Sequence, residues 1–155
     1  MHDGRVMRTA DERIAAALTV IRTAGGRVTS ARGAVLRVLA AAAHLSAAGV
    51  HARLAAGGLP ADLSTVHRVL NALTDVGVVH VVPVGGTLTY GLADRPHHHT
   101  VCRRCGTVRQ LPPPAVAAVI EAATASGTFT TDLEGHDGGV VVYGACTTCP
   151  DGPAR

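Results

Sequence analysis

Lysine and tryptophan are absent from this 155-residue chain, phenylalanine occurs once and tyrosine twice. All 14 basic residues are therefore arginine, set against 11 acids for a formal net charge of +3. Large aromatic rings supply much of the buried area of an ordinary core. A core here has to be light and built from Val, Leu and Ala. Apolar residues still make up 47% of the chain, which excludes wholesale disorder. Long hydrophobic runs are missing as well. None exceeds six residues, as at 38–43, against the roughly 18 of a membrane span. Met1-His2-Asp3-Gly4-Arg5 leads into no secretory h-region, so a cytoplasmic location and no membrane partner are expected. In that compartment the four cysteines read as metal ligands rather than disulfides. The length suits one ordinary domain or two small ones. With so light a core, a staple or a partner subunit is expected, and four cysteines and nine histidines are the candidates.

Charge divides unevenly. Residues 1–92 hold nine Arg and five acids, a formal +4; residues 93–155 hold five Arg and six acids, a formal −1. A basic first half suits a polyanion, although a bias of Arg over Lys with the excess solvated explains the same numbers. Helical spacing predicts helices over 9–23, from Thr29 to about residue 42, and over 46–57. A fourth, capped by Ser64, presents Val66, Val69, Leu70, Leu73 and Val76 on one face and Ser64, His67, Arg68, Asn71 and Asp75 on the other. Two apolar runs, Val78–Val84 and Leu88–Leu92, flank Gly85-Gly86, a hairpin signal. Helices followed by a hairpin outline a winged helix-turn-helix, in which a polar-faced helix enters the DNA major groove. The second half reads as a small α+β unit: strands at 107–111, near 128–131 and at 139–144, and a helix at 115–126. The fold class expected is α+β, divided as 1–92, a hinge at 93–100, and 101–155.

Cys102-Arg103-Arg104-Cys105 and Cys146-Thr147-Thr148-Cys149 close the two ends of that second unit. Two residues between thiolates let both bind one ion from a tight turn, and two such turns complete a tetrahedron. Structural zinc on Cys102, Cys105, Cys146 and Cys149 is the expectation, and it would supply folding energy where the core is thin. A redox CxxC, an iron–sulfur cluster and unligated thiols are the competing readings.

A triplet of histidines, His97-His98-His99, stands just before Cys102. Alternate residues His97 and His99 point the same way on an extended chain, while His44 and His80 lie across the hinge. A divalent ion held from both sides would fix the relative angle of the two units and act as a switch. A solvated loop is the bland reading of such a triplet.

At this point the residues resemble the ferric uptake regulator family of metal-sensing repressors. Gly25-Gly26-Arg27-Val28-Thr29-Ser30-Ala31-Arg32, His44-Leu45-Ser46-Ala47, Ser64-Thr65-Val66-His67-Arg68 and Pro96-His97-His98-His99-Thr100-Val101-Cys102-Arg103-Arg104-Cys105-Gly106 resemble four family segments in order. The second CxxC completes the match. The resemblance implies a homodimer with an N-terminal winged-helix domain and a C-terminal dimerisation domain stapled by the four-cysteine zinc. It implies a regulatory site at His44, His97 and His99, with His80 where some zinc-sensing relatives place Asp. Arg27, Ser64, Thr65, His67 and Arg68 match DNA-facing positions. This sequence departs from the family pattern at His67, where Tyr is expected, and at Gly91, where an acidic ligand is expected beside Tyr90. A third family site maps to His98, Gln110 and His136, of which His98 and Gln110 are not the expected types.

The reading is a metal-dependent repressor, not an enzyme, that binds a palindromic double-stranded operator as a homodimer. It would carry structural zinc and a second divalent ion: zinc, nickel, iron or cobalt. All-imidazole ligation favours borderline ions over hard ones. The alternatives are a family member that binds DNA without sensing metal and, more remotely, a His-metal enzyme.

Overall fold

The computed structural model describes residues 9–94, 97–131 and 139–149. Its elements fall into two groups, each built on a three-stranded sheet. The first contains α1 (Ala10–Thr23), α2 (Ser30–Ala40), β1 (Leu45–Ser46), α3 (Ala47–Ala56), α4 (Leu63–Asp75), β2 (Val79–Val84) and β3 (Thr87–Leu92). Thr9, Thr29 and Ser46 N-cap their helices, each side chain accepting from a backbone N–H in the first turn. The fourth helix departs from expectation. It starts at Leu63 behind Asp62, which makes no side-chain cap, so Ser64 lies in the first turn. Gly85 and Gly86 take φ of 55° and 82°, the left-handed conformation that a two-residue hairpin demands and glycine supplies without strain.

The light core is real. Ile21, Val35, Leu36, Leu39, Val50, Leu54, Val66, Leu70 and Leu73 close on Val79, Tyr90 and Leu92, and Tyr90 is the one aromatic ring among them. The three-stranded order β1-β3-β2 lays this hairpin against the helices. Val79, Tyr90 and Leu92 pack into the helical core, so strand alternation turns His80 and its register partner Gly91 to the opposite face. His80 is nonetheless only 3% exposed, because the second group covers that face.

That second group comprises β4 (His98–Cys102), β5 (Val108–Leu111), a 3-10 turn (Pro113–Val116), α5 (Ala117–Thr124) and β6 (Val141–Gly144). Its sheet order is β5-β4-β6, with β4 and β6 parallel. Two expectations change. Residues 128–131 form no strand. The stretch read as hinge ends in β4, because His98 and His99 pair with Leu111 and Gln110. A histidine run carries weak strand propensity by itself, and the partner strands decide its conformation. Few apolar side chains of this group are buried: Val101, Cys102 and Val116 join the histidines His98 and His99, α5 buries none, and Val119, Phe129 and Val142 are exposed.

Long-range polar contacts fix the connection between the groups. The Arg13 guanidinium meets Asp94 at 2.7 Å through Nε and 3.4 Å through Nη2, and donates to the Ala40 carbonyl at 3.1 Å. Asp94 lies between β3 and the histidines, so this contact fixes where the chain leaves the hairpin. Asp94→Asn should destabilise the protein by about 2 kcal/mol, the usual weight of a hydrogen bond to a charged group, measured by urea denaturation. On the other side, the Tyr143 hydroxyl donates to the Pro83 carbonyl of β2 at 3.0 Å. No helix among the described residues is long and apolar enough to cross a membrane.

Candidate metal centres

The parallel pairing of β4 with β6 builds the cysteine cluster. Cys102 stands opposite Gly144 in the register, and Arg103 N–H donates to the Gly144 carbonyl at 2.7 Å. The second CxxC turn therefore leaves the sheet beside the first. Cys102 and Cys149 sulfurs are 3.8 Å apart, Cys105 and Cys146 sulfurs 3.7 Å. A tetrahedral ion with thiolates at about 2.3 Å requires an S···S edge of about 3.8 Å, whereas a disulfide requires about 2.05 Å. The set fits a metal and not a pair of disulfides. Electrostatics agree with the spacing. Hydrogen bonds from the backbone at Cys105 and Cys146 hold the Cys102 thiol down to about 5, and Cys146 is lowered as well. Cys149 is pushed up to about 12 by its hydrogen bond with Cys146, by burial and by Cys102. Some sulfurs are thus poised as thiolates while a neighbour keeps its proton, and a dication is the group that lets all four ionise together.

The second cluster is the junction of the two groups. His44 comes from the segment between α2 and β1, His80 from β2, His97 from the approach to β4, and His99 from β4 itself. One ligand atom from each lies within 4.8 Å of every other. His80 Nε2 is 2.8 Å from His44 Nε2 and 3.2 Å from His99 Nε2. A proton on His80 can serve one of those neighbours and not both. A cation placed among them serves every lone pair, and a tetrahedral site with Zn–N near 2.05 Å needs edges of about 3.3 Å. A hydrogen bond between His80 and the backbone of Leu92 also engages that ring, the kind of support by which ligating histidines are usually oriented. His44 Nδ1 is buried with no hydrogen-bond partner, so the Nε2 end carries that ring's polar contact.

Burial, and then the neighbouring histidines, lower His44 to about 3 and His80 to about 2. Both rings are neutral at ordinary pH, as ligands must be. The sign of the linked stability follows. An unfolded chain takes up protons on these histidines near pH 6.5, and the folded chain refuses them. With no ion in this cluster, stability is greatest above pH 6.5 and falls as pH drops toward the folded values. The slope is at most about 1.4 kcal/mol per pH unit for each ring. Denaturation of protein retaining only the cysteine-bound metal, compared at pH 7 and pH 5, measures it.

His98 points to the other side of β4. Its Nδ1 accepts from Val140 N–H at 3.1 Å, and it belongs to neither cluster found among the described residues. Gln110 is exposed on β5, and His136 lies outside the described residues. Of the DNA-facing positions, Arg27 is exposed before α2; Ser64, His67 and Arg68 are exposed on α4, and Thr65 is half-buried beneath them. Arg68 donates to the Thr65 hydroxyl at 3.0 Å, which steadies a cation on the outer face of the helix. Sequence reasoning missed the Arg13–Asp94 contact, whose partners are 81 positions apart and carry no local signal. It also took Gly91 only as a missing ligand, whereas that residue abuts two of the four rings.

Comparison with known proteins places these features in a context. The profile of the Ferric uptake regulator family matches residues 23–134. The chain is 24% identical over 147 residues to the peroxide-responsive repressor PerR of Staphylococcus saprophyticus, covering 94% of this chain and 97% of that one. It is 28% identical to the solved ferric uptake regulator of Pseudomonas aeruginosa with manganese, covering 84% and 98% of the two chains at a TM-score of 0.68. A zinc uptake regulator complexed with zinc and DNA is 27% identical, with 92% and 96% covered and a TM-score of 0.64. These relatives answer to different inputs, so likeness alone selects none.

Proposed function

The chain belongs to the ferric uptake regulator family and is a metal-responsive transcription regulator, not an enzyme; from that premise we propose that it is a cytoplasmic repressor whose affinity for its operator is set by a divalent ion at His44, His80, His97 and His99. The observation that carries this reading is the convergence of four imidazoles from both sides of the junction to within 4.8 Å. An ion there would supply one bond to each ring. His44 and His80 belong to the body that carries α4, and His97 and His99 lead into β4. Joint ligation therefore holds α4 at one angle to the second sheet. In the proposed homodimer the exposed Val119, Phe129 and Val142 meet a second copy, and two α4 helices are presented at the spacing of a palindromic duplex. Zinc on Cys102, Cys105, Cys146 and Cys149 holds each dimerisation unit together. Ser64, Thr65, His67 and Arg68 approach base edges and phosphates, and Arg27 the neighbouring backbone or minor groove. The +4 charge of residues 1–92 supports that face as the polyanion side.

The test is a binding titration on an operator selected from random duplexes in the presence of zinc. A chelator too weak for the cysteine site should lower affinity by at least fivefold at constant salt, within the usual range of allosteric coupling. Unchanged affinity would favour the family member that binds DNA without sensing metal.

A further inference from the structure

A glycine inside a buried strand normally weakens it, and its presence calls for a close approach by something else. Gly91 is such a residue. It sits in β3 between the buried Tyr90 and Leu92, opposite His80 in the register. Its backbone is not in the left-handed region that makes glycine necessary at Gly85 or Gly86. Space is what it provides. A Cβ at this position would lie 2.6 Å from His44 Nε2, 3.0 Å from His44 Cδ2 and 3.0 Å from His80 Cε1. The first of these is inside any contact that a carbon and a ring nitrogen tolerate. The atom it would strike is also the one that stands 2.8 Å from His80 Nε2. A Cβ at position 91 would thus force the His44 ring to shift from its present place against His80.

We propose that Gly91 is the specificity-determining residue of the histidine site: lacking a side chain, it lets His44 and His80 close on one ion and keeps the site at four nitrogen donors. The inference rests on the reading of that cluster as the regulatory site, and it narrows the ion. Ions that require oxygen ligands or six-coordination, such as Mn²⁺ and Mg²⁺, find neither here. A tetrahedral, nitrogen-accepting dication, with Zn²⁺ first and Co²⁺ as its spectroscopic stand-in, fits both donor type and number. The strand bearing Gly91 accepts alanine by backbone conformation, so Gly91→Ala isolates the steric term.

The experiment uses full-length protein that retains its cysteine-bound metal. Zn²⁺, Co²⁺ and Mn²⁺ are titrated against a competing chromophoric chelator, and the Co²⁺ visible spectrum is recorded. Wild type should bind Zn²⁺ at least 100-fold more tightly than Mn²⁺ and give the intense bands of tetrahedral Co²⁺. Gly91→Ala should weaken Zn²⁺ by at least tenfold. In a His44→Ala background, where the struck ring is gone, Gly91→Ala should add less than a twofold further loss. If Gly91→Ala alone compromises folding, the double variant should recover the fold of His44→Ala. Wild-type zinc affinity in Gly91→Ala, or an equal further loss in the double variant, would overturn the role of Gly91. Failure of wild type to take up a second ion would instead overturn the regulatory-site reading beneath it.

Discussion

Cys102→Ser should leave the second unit unfolded, the chain monomeric and operator binding at least 100-fold weaker. The reason is the distribution of buried side chains. The helical group has a continuous apolar core, from Ile21 through Leu73 to Tyr90. The second group buries few apolar side chains besides Val101, Cys102 and Val116, and α5 presents no buried residue at all. Its sheet is held where β4 and β6 meet, and that meeting place is also where the two CxxC turns meet. Zinc at structural four-ligand sites contributes roughly 10–16 kcal/mol to folding near neutral pH, as much as the whole stability of a typical domain. Serine at position 102 removes a thiolate that backbone hydrogen bonds already favour. Circular dichroism should retain the signal of α1 to α4, while sedimentation should lose the dimer. A folded, dimeric Cys102→Ser protein would show that the thiolates are not the staple.

His99→Ala should uncouple DNA binding from metal. His99 is fully buried in β4, and its Nε2 is 3.2 Å from that of His80. Removing it deletes the one proposed ligand that lies within the second sheet itself. Binding measured with and without added zinc should then differ by less than twofold, where wild type differs by fivefold or more. The cysteine-bound metal should remain at full stoichiometry. His51→Ala, half-buried on α3 and outside both clusters, is the control and should respond as wild type does. A normal metal response in His99→Ala would remove the junction from the account.

The sequence carried some of these features openly and hid others. The apolar periodicity of α4 and the Gly85-Gly86 turn announced the first group, because each is written in a few consecutive residues. The two CxxC pairs announced a metal for the same reason. The residues near 128–131 were misread as a strand because the β-branched and aromatic side chains of Thr128-Phe129-Thr130-Thr131 favour extension without specifying a partner strand. β4 was hidden for the converse reason: His98 and His99 are extended because β5 and β6 flank them, and those partners are remote in sequence. Ser64 looks like a cap from its residue type, yet the helix begins one residue earlier. Gly91 shows the limit most clearly. Read along the chain, it is an absent carboxylate. In three dimensions it is the space into which His44 fits.

Each chain should hold two ions, one among sulfurs and one among imidazoles. Elemental analysis of purified, zinc-saturated wild type beside a His97→Ala/His99→Ala variant tests it directly. Two metal ions per wild-type chain and one per variant chain are expected. One ion per chain in both proteins would contradict it.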